Sequence, residues 1–293
     1  MSRSPANKSG IYMATFRAIE SSGPEKERLF HDPFATAFLS KSWQIIIACC
    51  SIQLIRKIVA ASIQIRWPGT FTAAAARTKL IDDMICHAIK NEGINQVIIL
   101  NATYDTRPHR LSPGLPVHYV ELDHPDIQRR KRSIINSLGG LPAVHVDYIP
   151  LDMNTESISD VIPQLFHREH YKSLFLWEGV TSSQEARQAE MIFHYIKQLR
   201  SGTQIIFTYA DRAVLENPKA FYGFHRIDRL LKRAGENWDF GMCPNELRTY
   251  LDSYNMELRY EGGATDYRAQ YFGEKSKNMK GYEYFRLARA EVK

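Results

Sequence analysis

The sequence predicts an α/β fold: a Rossmann-like arrangement with a seven-stranded, mainly parallel sheet under an N-terminal helical lid. Three observations lead there. From Arg77 onward, short apolar runs alternate with longer helical patterns, and strands buried on both faces read as such runs. Near the C-terminus the alternation gives way to two strand patterns, "MELRY" and "YEYFRLAR", joined by a polar loop. Residues 1–76 carry helical patterning and no strand pattern, so they are expected to lie over the sheet.

In the lid, the most apolar stretch is "IIIACCSIQLIRKIVAASIQI", residues 45–65, interrupted by Gln53, Arg56, Lys57 and Gln64. The polar positions recur at helical intervals, so one amphipathic helix is expected and not a membrane span. Packing onto the domain is its expected role; covering a pocket or touching a membrane surface are the alternatives. Residues 77–293 form the sheet-bearing part of what should be one compact unit. "RTKLIDDMICHAIKNEG" reads as a helix closed by Gly93, and "QVIIL" as the first strand. "VHYVEL" is the second strand, followed by the helix "PDIQRRKRSIINSL" and the stop "GG". "AVHVDYI" is the third and "SLFLWEG" the fourth, with the helix "SQEARQAEMIFHYIKQL" after it. "TQIIFTY" is the fifth, and "PNELRTYLDSY" is a helix before the two closing strands.

Composition narrows the classes. Hydrophobic residues make up 44% and charged residues 24%, which suits a folded, soluble globule and excludes disorder. A formal charge of +6 is mild and spread along the chain. With no aromatic-basic platform, nucleic-acid modification is a distant reading. The cysteines Cys49, Cys50, Cys86 and Cys243 lack metal-ligand spacing, and a reducing, cytoplasmic setting is expected. The N-terminus "MSRSPANKSG" lacks the apolar core of a signal peptide. "RRKR" at 129–132 reads as a solvated helix face.

Ligands of open parallel sheets bind at the carboxyl ends of the strands. The turn after the first strand, "LNATYDTRPHRL", is therefore the natural cofactor site. About twenty residues on, where such folds hold a ribose, "VELDHP" supplies Glu121 and Asp123, of which Asp123 lies at the strand exit. "PLDM" places Asp152 at the third exit and "LWEG" places Glu178 at the fourth. One such acid is usually a cap or a solvated loop residue. Three at neighbouring exits can hold ribose hydroxyls, an adenine amino group and a cationic amine, the inventory of S-adenosylmethionine. A dinucleotide fits less well, because no G-x-G-x-x-G run receives a pyrophosphate.

Taken together and in order, these motifs resemble the leucine carboxyl methyltransferase family, in particular its microbial polyketide O-methyltransferase branch. "FRAIES" with "LFHDPFA", "RTKLIDD", "YDTRPHRL", "VELDHPDIQRRK", "PLDM", "FLWEGV" and "GENWDFGMCPNEL" carry the resemblance. It implies a class I methyltransferase fold, S-adenosylmethionine as cofactor and a small-molecule acceptor. Carried over residue by residue, it implies that Arg17 and Arg77 meet the methionine carboxylate. Asp123 then holds the ribose, Asp152 and Met153 frame the adenine, and Glu178 lies near the amine and the transfer point. Asn101, Thr103 and Asp105 form the turn against the cofactor.

Two departures stand out. The family reads Leu-Gly-Ala-Gly where this chain reads "LNAT", so Asn101 and Thr103 replace both glycines. Asn tolerates a left-handed backbone, whereas a β-branched Thr does so poorly. After "WEGVT" the chain continues "SSQEARQ" where aromatic and leucine residues are usual, which points to a different substrate or a lost reaction. Methyl transfer to a carboxylate or hydroxyl of a small, polyketide-like metabolite is the leading expectation. A protein C-terminal carboxylate is a less favoured acceptor. The second reading is a fold that has lost methyl transfer and works as a cyclase, isomerase, hydrolase or binding partner. His109 and His124 are the histidines a base role would draw on, but no geometry supports either, and no catalytic residue is assigned.

Overall fold

The computed structural model describes residues 6–111, 113–139, 146–152, 156, 161, 171–235 and 238–293. Its centre is a seven-stranded sheet of β1 (Gln96–Leu100), β2 (His118–Asp123), β3 (Val146–Pro150), β4 (Ser173–Val180), β5 (Gln204–Ala210), β6 (Met256–Gly262) and β7 (Phe285–Val292). The order is β3-β2-β1-β4-β5-β7-β6, parallel except for β7, which runs antiparallel to β5 and β6. This is the expected seven-stranded fold. The order reverses between β1 and β4, so the crevice for a ligand opens there. Register sharpens the point: Leu100 pairs with Leu122 on one side and Trp177 on the other. Asn101, Asp123 and Glu178 therefore leave neighbouring strands at one level.

The helices are α1 (Ala6–Ser21), α2 (Lys41–Cys49), α3 (Gln53–Arg66), α4 (Thr70–Asn91), α5 (Arg107–Arg110), α6 (Pro125–Ser137), α7 (Ser183–Ile196), α8 (Arg212–Glu216), α9 (Phe224–Ala234), α10 (Leu247–Asp252) and α11 (Ala264–Phe272). One sheet face packs Leu100, Leu122, Phe175 and Phe207 against Ile192, Phe193 and Ile196 of α7 and Leu247 and Leu251 of α10. The other packs Val97, Ile99, Leu174 and Leu176 against Leu80, Ile81 and Ile85 of α4 and Tyr267 of α11. The lid has a core of its own, built from Phe16, Ile19, Phe38 and Ile63. Tyr104 and, from α6, Ile127 and Ile135 join it.

Three elements differ from the sequence expectation. The single helix over residues 45–65 is two, because Ile52 is extended and the Ser51 hydroxyl donates to the Ala48 carbonyl at 2.8 Å, competing with the ladder. The helix expected from Arg77 begins at Thr70, after the left-handed Gly69; the alanine run 73–76 extends it, alanine being the best helix former. Lid and sheet are thus joined through one continuous helix. The polar loop between the closing strands contains α11, capped by an Asp266 carboxylate that accepts from the Gly263 amide at 2.7 Å and anchored by buried Ala264 and Tyr267. No helix among the described residues is long and apolar enough to cross a membrane.

Candidate functional site

A cavity of about 670 Å³ opens at the exits of β1 and β4. The turn after β1, α1, the start of α4, the β4 exit and α9 line it. The turn keeps the conformation that glycines would normally supply. Asn101 has φ 54° and Thr103 has φ 43°, both left-handed. For a β-branched residue this stores strain of about 1–3 kcal/mol. Something must over-determine the turn, and the neighbours do. Thr103 donates its amide to an Asp123 carboxylate oxygen, and the Asp105 amide donates to the Ala102 carbonyl at 2.7 Å. Tyr104 is fully buried and stacks on Phe38 with ring centroids 4.7 Å apart. Across the cavity α1 gives way: a β-carbon on Gly10 would collide with the Thr103 methyl group. The bulk added at position 103 is thus met by a glycine on the lid.

Beside the turn lies a buried ionic network. Arg107 donates from Nε to Asp82 at 2.8 Å, from Nη1 to Glu178 at 3.0 Å, and from Nη1 to Asp105. Arg110 grips Asp82 at 2.6 and 2.9 Å. Arg77 donates from Nε to the other Glu178 oxygen at 3.0 Å, and its guanidinium lies 4.7 Å over the Phe285 ring. Arg17 donates to Asp32 at 2.8 Å and to the Tyr104 carbonyl at 2.5 Å. Burial works to raise the carboxyls. The Arg107 charge, helped by Lys131 and Arg17, overrides this at Asp105 and holds it down to about 2. At Glu178 the same burial is overridden by Arg107 and Arg77, so it too lies below its ordinary value. These acids are anionic at neutral pH. Nη1 of Arg77 is buried and meets no carboxylate, and the Tyr267 side chain lies against the same guanidinium.

Arg17, Arg77, Asn101, Thr103, Asp105 and Glu178, all sequence candidates, line this cavity. Asp123 is not among the lining residues. Its carboxylate turns back to the turn, accepting from the amides of Thr103 and, at 2.6 Å, His124. Burial pushes that carboxyl up against the pull of these two amides. Asp152 also lies off the cavity wall, 3.9 Å from the His124 ring, and Met153 lies outside the described residues. His124 caps α6 by accepting from the Asp126 amide at 3.2 Å. His109 hydrogen-bonds Tyr148 at 3.0 Å, and burial, with Lys131 behind it, lowers its pKa to about 4. Neither histidine lines the cavity. Among the described residues no His, Cys, Asp and Glu cluster could hold a metal ion.

Several wall residues were not singled out from sequence. Arg107 is the hub of the network, and its signal is the Asp-Thr-Arg half of "YDTRPHRL". Tyr282, with φ 70°, enters from the last connection and Phe285 from the start of β7, and Ile227, Leu230 and Leu231 enter from α9. The polar "SSQEARQ" segment proves to be largely a helix start. The Ser182 hydroxyl accepts from the Glu185 amide at 3.2 Å, and the Glu185 carboxylate accepts from the Ser182 amide at 2.8 Å, a capping box. Arg187 from the same helix reaches the cavity.

The profile of the leucine carboxyl methyltransferase family matches residues 10–196. The chain belongs to this family. The match spans both the lid contact at Gly10 and the β4 exit. S-adenosylmethionine is the cofactor of the family. A candidate S-adenosyl-L-methionine-dependent methyltransferase of Mycolicibacterium gilvum is 30% identical over 146 residues, 49% of this chain and 46% of that protein. One from Frankia alni is 25% identical over 224 residues, 76% of this chain and 75% of that protein. The chain thus spans about half to three quarters of these relatives. Among solved structures, a DUF574 family protein from Streptomyces avermitilis superposes with a TM-score of 0.54 at 11% identity, covering 96% of this chain and 97% of that one. A candidate methyltransferase from Thermobifida fusca gives 0.51 at 13% identity, covering 95% and 94%. At such identities the likeness concerns the fold.

Proposed function

We propose that this family member transfers a methyl group from S-adenosylmethionine to an oxygen of a small acceptor, in a carboxylate or hydroxyl of a polyketide-like metabolite. The observation that carries this reading is the Arg77 guanidinium and the anionic Glu178 side by side on one cavity wall. Together they fit a zwitterionic methionyl group. Arg77, backed by the charge of Arg17, would hold its carboxylate; Glu178 and Asp105 would face its ammonium. Asn101 and Thr103 would orient it through the turn backbone, and Asp123 would steady that turn from behind as well as serve the ribose. Asp152 and Met153 are proposed for the adenine end.

When bound, S-adenosylmethionine supplies an electrophilic sulfonium methyl for in-line displacement by the acceptor oxygen. The protein's part is to hold that oxygen in line and keep water out. Trp238, Ile227, Leu230 and Leu231 offer an apolar wall to the acceptor, and Arg187 offers a cation to an acidic group. An ionised carboxylate needs no base, whereas a phenol or alcohol does. Arg187 on the wall, a cation facing the acceptor, favours the carboxylate.

The strained turn favours a second reading, a member that has lost methyl transfer and serves as a cyclase, isomerase or hydrolase. Incubation with methyl-labelled S-adenosylmethionine and a panel of small carboxylic acids and phenols separates the two. Base-labile labelled esters are expected; base-stable ethers would move the acceptor to phenols. Cofactor bound with no label transferred to any class would favour the second reading.

A further inference from the structure

The outer face of the lid is apolar and basic. On α3, Leu54, Ile58, Ala61 and Ile65 follow at intervals of four, three and four residues, which puts them on one stripe of a helix. Val59 and Ile63, on another stripe, pack into the lid core. Among the described residues the outer stripe is largely uncovered: Leu54 is 67% exposed, Ile58 59% and Ile65 71%. Ile45, Ile46 and Ile52 extend the exposed patch across α2 and the α2–α3 joint. Exposed apolar groups in such continuity mark a contact surface.

Charge says what kind. Between Asp32 and Asp82 the chain contains no acidic residue, while Lys41, Lys57 and Arg66 stand exposed in that segment. At the end of α3 a groove of about 440 Å³ separates it from α9, lined by Arg66, Trp67, His225, Arg226, Arg229 and Arg233. The one acid on α9, Asp228, is taken by Lys232 at 2.8 Å. Trp67 and Leu230 line this groove and also the larger cavity.

We propose that this face docks on the surface of an anionic lipid bilayer, with α3 lying in the interface and phosphate headgroups seated in the arginine-lined groove. An apolar stripe flanked by Lys and Arg, with an aromatic residue at its edge, is the arrangement that binds such surfaces. A second copy of the chain suits the face less well. A two-fold contact sets the same patch against itself, and here it would bring the arginines and lysines of two copies together, with Glu27, paired to Arg56 at 2.8 Å, already engaged. No spanning helix is involved; the attachment is peripheral.

The test is sedimentation of the full chain with phosphatidylcholine vesicles and with vesicles containing phosphatidylglycerol, at low and high salt. Binding to the anionic vesicles that weakens with salt is expected. Ile58→Asp with Ile65→Asp should weaken it about tenfold or more, and Arg66→Gln about fivefold on anionic vesicles alone. All three positions are exposed, so thermal unfolding should be unchanged. Equal binding to both vesicle types, or none to either, overturns the proposal. So does a dimer in light scattering that Ile58→Asp dissolves while vesicles are ignored.

Discussion

Two buried ionic clusters in this molecule look alike in composition and differ in position. On α6, Lys131 reaches the Glu121 carboxylate at 2.6 and 2.7 Å, and both side chains are 1% exposed. The pair is closed, with each oxygen of Glu121 meeting Lys131 Nζ. At the cavity, Arg77, Arg107 and Arg110 engage Asp82, Asp105 and Glu178. The Lys131–Glu121 pair lies off the cavity wall, whereas Arg77, Arg107, Asp105 and Glu178 line it. The difference teaches that ionic burial alone does not identify a site; its place on a cavity wall does.

The sharpest break of the comparison is at the closed pair. Lys131→Met leaves an unpaired buried carboxylate and should cost about 3–5 kcal/mol of stability in urea unfolding. Because the lone Glu121 can protonate in acid, the loss should be smaller at pH 5 than at pH 8, and Glu121→Leu added to Lys131→Met should recover most of it. A loss below about 1 kcal/mol would mean the pair is not closed as described.

The cavity network should respond the other way. Arg77→Gln removes the cation proposed for the cofactor carboxylate, and Glu178 retains Arg107. Cofactor binding should weaken by about 1.5–3 kcal/mol, the worth of a charged hydrogen bond, with a smaller change in stability. Equal losses in both would put Arg77 with the structural pair. Above the network, Gly10→Ala should cost about 1–3 kcal/mol by overpacking against Thr103. Adding Thr103→Gly should restore that, a coupling a double-mutant cycle would measure. Additive effects would show that α1 and the turn do not meet as described.

The smallest effect is on pH. Asp105 is held down to about 2, below the ordinary 3.8. A depressed carboxyl stabilises the fold above its unfolded pKa, and that contribution is lost as pH falls from about 4 toward 2. Asp105→Asn should flatten the acid limb of the stability profile in that window. An unchanged limb would assign acid sensitivity elsewhere.

The sheet was legible because buried strands are short apolar runs, and the strand exits were legible because Asp123 and Glu178 end two of those runs. The network was not. Arg77 and Glu178 meet across 101 positions, and that meeting depends on packing that no local pattern encodes. For the same reason Asp123 could be placed at an exit but not seen to turn back onto the Thr103 amide. Helix α11 was hidden by its polar residues, and the break between α2 and α3 by an apolar run that continues through it. The left-handed turn was half legible: Asn101 announced tolerance, but the space for Thr103 depended on Gly10, far off in the lid.

The central claim is that the left-handed Asn101–Thr103 turn and the Arg77–Glu178 wall together still bind S-adenosylmethionine. Calorimetric titration of the purified chain with S-adenosylmethionine, repeated with S-adenosylhomocysteine, tests it most directly. The account predicts micromolar binding, about −8 kcal/mol, with a raised Tm. No detectable heat and no thermal shift with either ligand would contradict it and turn the cavity over to a reaction that uses no methyl donor.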